Sequence, residues 1–100
     1  MSGTLSKLRG LASIVIPCWN QVEFTRRGIA ALMRCTRAPW ELIVVNNGST
    51  DETSDYLAGV QDASPVPVTV IANSTNLGFP AAINQGLKYA RGGISRASQQ

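Results

Sequence analysis

The run Leu42-Ile43-Val44-Val45, followed at once by Asn46-Asn47-Gly48-Ser49-Thr50-Asp51, constrains this chain more than any other stretch. An unbroken apolar, β-branched segment reads as a strand buried on both faces, as in a parallel sheet with helices above and below. The polar residues after it form a tight turn, with Gly48 able to take a positive φ. Ser49 stands three residues before Glu52, the spacing of a capping box. The strand therefore stops, the chain turns, and a helix N-terminus opens beside the strand's carboxyl end. Open α/β sheets receive anionic ligands at such places, because free N–H groups and the helix dipole converge there. An ordinary βα turn with good capping residues is the alternative, and geometry alone leaves both readings open.

The same pattern occurs three times. Ser13-Ile14-Val15-Ile16 is a first strand closed by Pro17, and Asn20 is placed to cap a helix over Gln21 to Arg37. That helix carries Val22, Ile29, Leu32, Met33 and Thr36 as its apolar stripe, and Pro39-Trp40 breaks it before the second strand. A second helix runs from Thr50 to Val60 with Tyr56, Leu57 and Val60 on one side. Pro65-Val66-Pro67 leads into a third strand, Val68-Thr69-Val70-Ile71. Pro80 suits the first turn of a third helix, along which Ile83, Leu87 and Ala90 recur before Gly92-Gly93. Strand–helix alternation with short turns implies an α/β fold: three βα units in a parallel sheet with helices on both faces, half of a nucleotide-binding fold of Rossmann type. Residues 12–92 make this domain, between a poorly ordered N-terminal segment (1–11) and a C-terminal tail (93–100).

Composition narrows the function. No apolar run of these 100 residues approaches the roughly 20 needed to span a membrane. Lys7 and Arg9 interrupt Leu5, Leu8 and Leu11, so no signal-peptide core forms and the cytoplasm is the expected location. Cys18 and Cys35 read as two buried free thiols. The net charge of +3 includes Arg26, Arg27, Arg34 and Arg37 on the first helix, a solvated face without the aromatic platform of a nucleic-acid site. The absence of histidine removes imidazole acid–base chemistry and imidazole metal ligands. Neither G-x-G-x-x-G nor a P-loop occupies any βα turn.

Three segments, in order, resemble family 2 glycosyltransferases of the GT-A type. Val44-Val45-Asn46-Asn47-Gly48-Ser49-Thr50-Asp51 is similar to the family's hydrophobic-hydrophobic-Asp-(Asp/Asn)-Gly-Ser-x-Asp segment. Ile14-Val15-Ile16-Pro17-Cys18-Trp19-Asn20 resembles its opening strand, which ends in Pro-x-aromatic-Asn. Asn76-Leu77-Gly78-Phe79, followed by Ala82-Ile83-Asn84-Gln85-Gly86, resembles its Asn-x-Gly-Phe and Ala-x-Asn-x-Gly segment. The resemblance implies the N-terminal half of a domain that binds a nucleotide-diphosphate sugar, most simply of uridine or thymidine type.

The resemblance also implies a set of nucleotide-binding residues. Pro17 and Trp19 lie in the loop beside the base; Asn46 stands where an aspartate accepts from the uracil ring; Asp51 is the second acid, beginning the helix; Asn76, Gly78 and Asn84 belong to the segment that borders the diphosphate; Asn20, Gly48 and Ser49 complete the set. Each has a plainer reading. Trp19 could cover the core, Asp51 could be a first-turn acid favoured by the helix dipole, Asn84 a packing residue, and Gly48, Gly78 and Gly86 backbone devices.

Departures from the family pattern qualify this. Asn46 carries no charge and adds a donor where the family has a carboxylate. The family's fourth strand ends in Asp-x-Asp, which holds a divalent metal, Mn or Mg, on the diphosphate. None of the acids Glu23, Glu41, Asp51, Glu52, Asp55 and Asp62 forms that motif. No metal, no other cofactor and no catalytic residue is therefore expected within this chain, and the expectation is a fragment that binds a donor without transferring sugar alone. A non-catalytic nucleotide-binding module and a scaffold or interaction protein are the alternatives. In the family the strands run 3-2-1, so the first strand would be left as a bare edge here, and a homodimer through that edge is expected.

Overall fold

The computed structural model describes residues 12–36, 39–91 and 93–96. Seven elements alternate along the chain: β1 (Ala12–Cys18), α1 (Val22–Cys35), β2 (Trp40–Asn47), α2 (Thr53–Ala63), β3 (Val68–Asn73), α3 (Phe79–Tyr89) and β4 (Gly93–Arg96). The strands form one parallel sheet in the order β3-β2-β1-β4. The α/β architecture expected from the sequence is present, with one more strand than expected.

Period-two alternation along the central strands explains why they are apolar throughout. Ile14, Ile16, Leu42 and Val44 pack with Ile29 of α1 and Leu57 of α2 on one face. Val15, Ile43 and Val45 pack with Ala82 of α3 on the other. Leu42, Ile43, Val44, Val45 and Val15 are all sealed from solvent, each contributing roughly 1.5–3 kcal/mol by leaving water. α1 and α2 thus cover one face and α3 covers the other. On α3 the side chain that matters most is a missing one. A Cβ on Gly86 would lie 2.4 Å from Val15 Cγ1 and 3.4 Å from its Cβ and Cγ2. The glycine lets the helix backbone rest directly on β1.

Several local expectations are revised. Val15 is not at a bare edge, because β4 pairs with Ala12 to Val15. The basis for a homodimer through β1 is thereby removed, and part of the expected C-terminal tail is strand. The expected segment 1–11 and residues 97–100 lie outside the described residues. β1 runs through Pro17 to Cys18, since parallel pairing with Val45 and Asn46 continues there. α1 ends at Cys35, α2 spans Thr53–Ala63, and β3 extends to Asn73. Thr25, absent from the apolar stripe, is buried on α1 beside Ile29. Cys18 is buried but Cys35 is exposed. Arg26 and Arg27 stand on the solvated face of α1 as expected, Arg26 resting 4.7 Å from the centroid of the Tyr56 ring.

One acid is buried inside the sheet. Glu41 of β2 is 2% exposed and lies opposite Ser13 of β1. Its carboxylate accepts from the Ser13 hydroxyl at 2.6 Å, from the Arg91 N–H at 2.7 Å and from Arg91 Nε at 3.1 Å. Burial, the largest single influence, pushes this carboxyl up, but the Ser13 and Arg91 hydrogen bonds with the guanidinium charge hold it below its ordinary value. The carboxylate thereby ties the exit of α3 to the edge of the sheet where the strands begin.

Two outcomes are expected from this packing. Alanine in a helix normally gains about 0.5–1 kcal/mol over glycine, yet Gly86→Ala should destabilise the protein by about 1–3 kcal/mol through overpacking. Val15→Ala in the same chain should recover part of that loss in urea denaturation. The second outcome concerns acid. The unfolded Glu41 carboxyl, at its ordinary 4.5, takes up protons before the folded one does. The stability it contributes is therefore whole above that pH and is lost as pH falls through the lower folded value. Glu41→Gln should flatten the acid limb of a stability–pH curve and lower the plateau.

Candidate functional site

The carboxyl ends of β1, β2 and β3 release three loops at one edge of the sheet, and hydrogen bonds between loops hold them together. Between β1 and α1, Asn20 and Gln21 both take left-handed backbone, at φ 54° and 59°. Asn20 does not cap its own helix. Its N–H donates to Ser49 Oγ at 2.8 Å, and its Oδ1 accepts the Thr50 N–H at 2.7 Å. The Val22 N–H, in the first turn of α1, donates to Asp51 Oδ2 at 3.2 Å. The first two loops thus cap each other.

Asp51 also starts its own helix, its Oδ1 accepting the Thr53 N–H at 2.9 Å and the Thr53 hydroxyl at 2.5 Å. The Thr53 hydroxyl foremost, with the Thr53 and Val22 N–H groups, holds the Asp51 carboxyl below the usual carboxylate range. The expected capping box of Ser49 and Glu52 is not formed. Ser49 is drawn to Asn20 instead, and Glu52 makes no side-chain cap. An acid placed to reach two helix N-termini outcompetes a hydroxyl that reaches one.

The two asparagines ending β2 are spent inside the site. Asn46 is 3% exposed, its Oδ1 accepting the Ser49 N–H at 3.1 Å and its Nδ2 donating to Ser54 Oγ at 2.9 Å. Asn47 is sealed from solvent and uses its whole capacity. Its Oδ1 accepts from Asn73 Nδ2 at 3.1 Å and the Leu77 N–H at 3.0 Å. Its Nδ2 donates to Asn76 Oδ1 at 3.0 Å and the Gly78 carbonyl at 3.3 Å. Asn73 exchanges a reciprocal amide pair with Gln85 of α3, at 2.8 and 2.9 Å. The loop between β3 and α3 is thereby laid against β2, so closely that a Cβ on Gly48 would stand 2.7 Å from the Thr75 carbonyl carbon. Gly48 has φ 82° besides, so both conformation and space demand glycine there.

Among these loops lies a cleft of about 360 Å³ lined by Cys18, Trp19, Asn20, Gln21, Phe24, Thr25, Asn76 and Phe79. Trp19 is 49% exposed and Phe24 56%, so Trp19 stands at the cleft and does not cover the core. Pro17 is buried in β1. Burial pushes the Cys18 thiol up to about 11, which keeps it protonated and unreactive at neutral pH. Asn20, Ser49, Asp51, Asn76 and Gly78 of the expected set come together at this edge, and Gly78, at φ 90°, precedes α3. Asn84 is exposed on α3. Sequence reasoning missed Gln21, placed at the start of the helix, Phe24 in the first turn of α1, and the amide network of Asn47, Asn73 and Gln85. A run of asparagines at successive strand ends was the available signal.

Among the described residues no three His, Cys, Asp or Glu side chains gather around one point. Asp51 Oδ1 accepts from Thr53, and its Oδ2 accepts the Val22 N–H.

Comparison with known proteins bears on this edge. The model of "Glycosyl transferase family 2" matches residues 13–94. The putative colanic acid biosynthesis glycosyl transferase WcaA of Escherichia coli K12 is 32% identical over 84 residues, covering 82% of this chain and 29% of that protein. The undecaprenyl-phosphate 4-deoxy-4-formamido-L-arabinose transferase of Pseudomonas fluorescens is 34% identical over 86 residues, covering 82% of this chain and 25% of that protein. Among solved structures, the mannosyltransferase PcManGT from Pyrobaculum calidifontis, in complex with GDP-Man and Mn2+, superposes with a TM-score of 0.72. Its identity is 20%, over 79% of this chain and 24% of that one, a likeness of fold. The chain spans under a third of the length of each of these proteins.

The two asparagines should respond oppositely to aspartate. Asn47→Asp loses both donors and turns a sealed carboxylate oxygen toward Asn76 Oδ1 and the Gly78 carbonyl. A loss of about 2–3 kcal/mol is expected in denaturant unfolding. In Asn46→Asp the Ser54 hydroxyl can rotate to donate, so the cost should stay below about 1 kcal/mol.

Proposed function

The chain belongs to glycosyl transferase family 2, and on that premise we propose that this edge of the sheet seats the nucleoside diphosphate of a sugar donor. The observation that carries the reading is the aromatic-lined cleft at the carboxyl edge, built from loops that brace one another. Trp19, Phe24 and Phe79 offer flat apolar surface for a base, the arrangement by which aromatic side chains hold planar rings. Asn76 and Gly78, at the entrance to α3, stand where a diphosphate can approach free N–H groups and the positive end of a helix. In this reading Asp51 organises the site, since its carboxylate serves two helix N-termini.

Sugar transfer asks for more. A departing nucleoside diphosphate develops charge that a cation or several donors must stabilise, and an acceptor hydroxyl needs a base. We assign donor binding to this segment and the transfer chemistry to the further length of the relatives.

Calorimetric titration with uridine, thymidine and guanosine diphosphates, with and without manganese, tests the proposal. Binding tighter than that of inorganic pyrophosphate is expected, with manganese improving it less than tenfold, or about 1.4 kcal/mol. No binding of any of the three would overturn the reading. A larger manganese gain that disappeared in Asp51→Asn would reassign Asp51 to a metal.

A further inference from the structure

Deepening the nucleotide-site reading, on which it rests, we infer that Gln21 is the residue that selects the base. The residue expected to read the base edge, Asn46, is enclosed at 3% exposure and has both ends of its amide engaged by Ser49 and Ser54. The reader must therefore be sought among the polar groups that line the cleft: Asn20, Gln21, Thr25 and Asn76. Asn20 Oδ1 accepts from the Thr50 N–H and lies 3.5 Å from the Thr50 hydroxyl. Asn76 Oδ1 accepts from Asn47 and from the Gly78 N–H. A carbonyl oxygen has two lone pairs, so both side chains retain only donors. Thr25 is buried and hydrogen-bonded to Cys18. Gln21 is exposed, and its side-chain amide has no partner among the described residues. It is the lining residue that can both donate and accept.

Its backbone is the second observation. Gln21 sits in the left-handed region at φ 59° and ψ 54°, a conformation uncommon for a residue that is not Gly, Asn or Asp. It is held there from both sides, by the Asn20 bonds to Ser49 and Thr50 and by the Val22 N–H on Asp51. Strain that the surroundings enforce so thoroughly is characteristic of functional positions. It sets the side chain on the wall of the cleft beside Trp19 and Phe24. A base stacked on those rings would present its hydrogen-bonding edge to an amide prepositioned to meet it.

The full chain, titrated with uridine diphosphate, guanosine diphosphate and inorganic pyrophosphate, tests the assignment in two variants. Gln21→Gly keeps the left-handed backbone without strain and removes the amide. It should retain or raise the melting temperature, leave pyrophosphate affinity unchanged, and bring the two nucleotides to within about twofold of each other. Gln21→Glu leaves a group that only accepts. Guanine offers two adjacent N–H donors, whereas uracil has one N–H between two carbonyls, so the affinity ratio should move toward guanosine diphosphate by about tenfold or more. A ratio equal in the unaltered chain, or unmoved by either variant, overturns the role of Gln21 and leaves the nucleotide site standing. Failure of both nucleotides to bind the unaltered chain overturns the site itself.

Discussion

The placement of the loop before α3 depends on one enclosed amide. Asn47 ends β2 with no exposure to solvent, and each of its four hydrogen bonds reaches a segment that follows β3 or ends it. A buried amide that left any of these unmade would pay the full desolvation penalty of that group. The loop before α3 therefore has one low-energy position, with Asn76 beside the cleft and Thr75 pressed against Gly48. Aspartate has similar size but only accepts, and so could not hold Asn76 Oδ1 and the Gly78 carbonyl. The amide is needed because it has two kinds of end.

The other wall of the cleft is built differently. Two adjoining left-handed residues would be a poor design in isolation, yet here they turn the backbone N–H of Asn20 toward Ser49 and its side chain toward Thr50. Asp51 completes the brace by capping α1 and α2 together. The site is thus rigid for local reasons on either side, an amide hub on one and a shared carboxylate on the other. Binding sites gain affinity from such preorganisation, since the loops need not be ordered when the ligand arrives.

Much of this was legible in the residues. The apolar run from Leu42 to Val45, the turn at Gly48 and the alternation of strand and helix led to the parallel α/β sheet, because burial on both faces leaves a pattern that polar substitution would spoil. What escaped reading was the pairing of polar groups across about 30 positions of sequence. Ser49 and Glu52 have the spacing of a capping box, but spacing within a helix says nothing about an asparagine in the preceding βα turn that competes for the same hydroxyl. Glu41 was readable as an acid at the start of a buried strand, although its partners, Ser13 and Arg91, lie 28 and 50 residues away. Nor did four residues rich in small and polar types, Gly93 to Arg96, look like a strand. They pair along the side of β1 that β2 leaves open.

The shared cap at Asp51 also dictates an order of events during synthesis. α1 follows β1 directly, but the carboxylate that receives its Val22 N–H belongs to the next unit, 29 residues later. As the chain leaves the ribosome, the first βα unit therefore has no side-chain cap for its helix and no partner for the turn at Asn20. Those groups remain hydrated until β2 has emerged and paired with β1. A nascent chain paused before Thr50 would expose an apolar strand and a frayed helix, the kind of surface that chaperones hold.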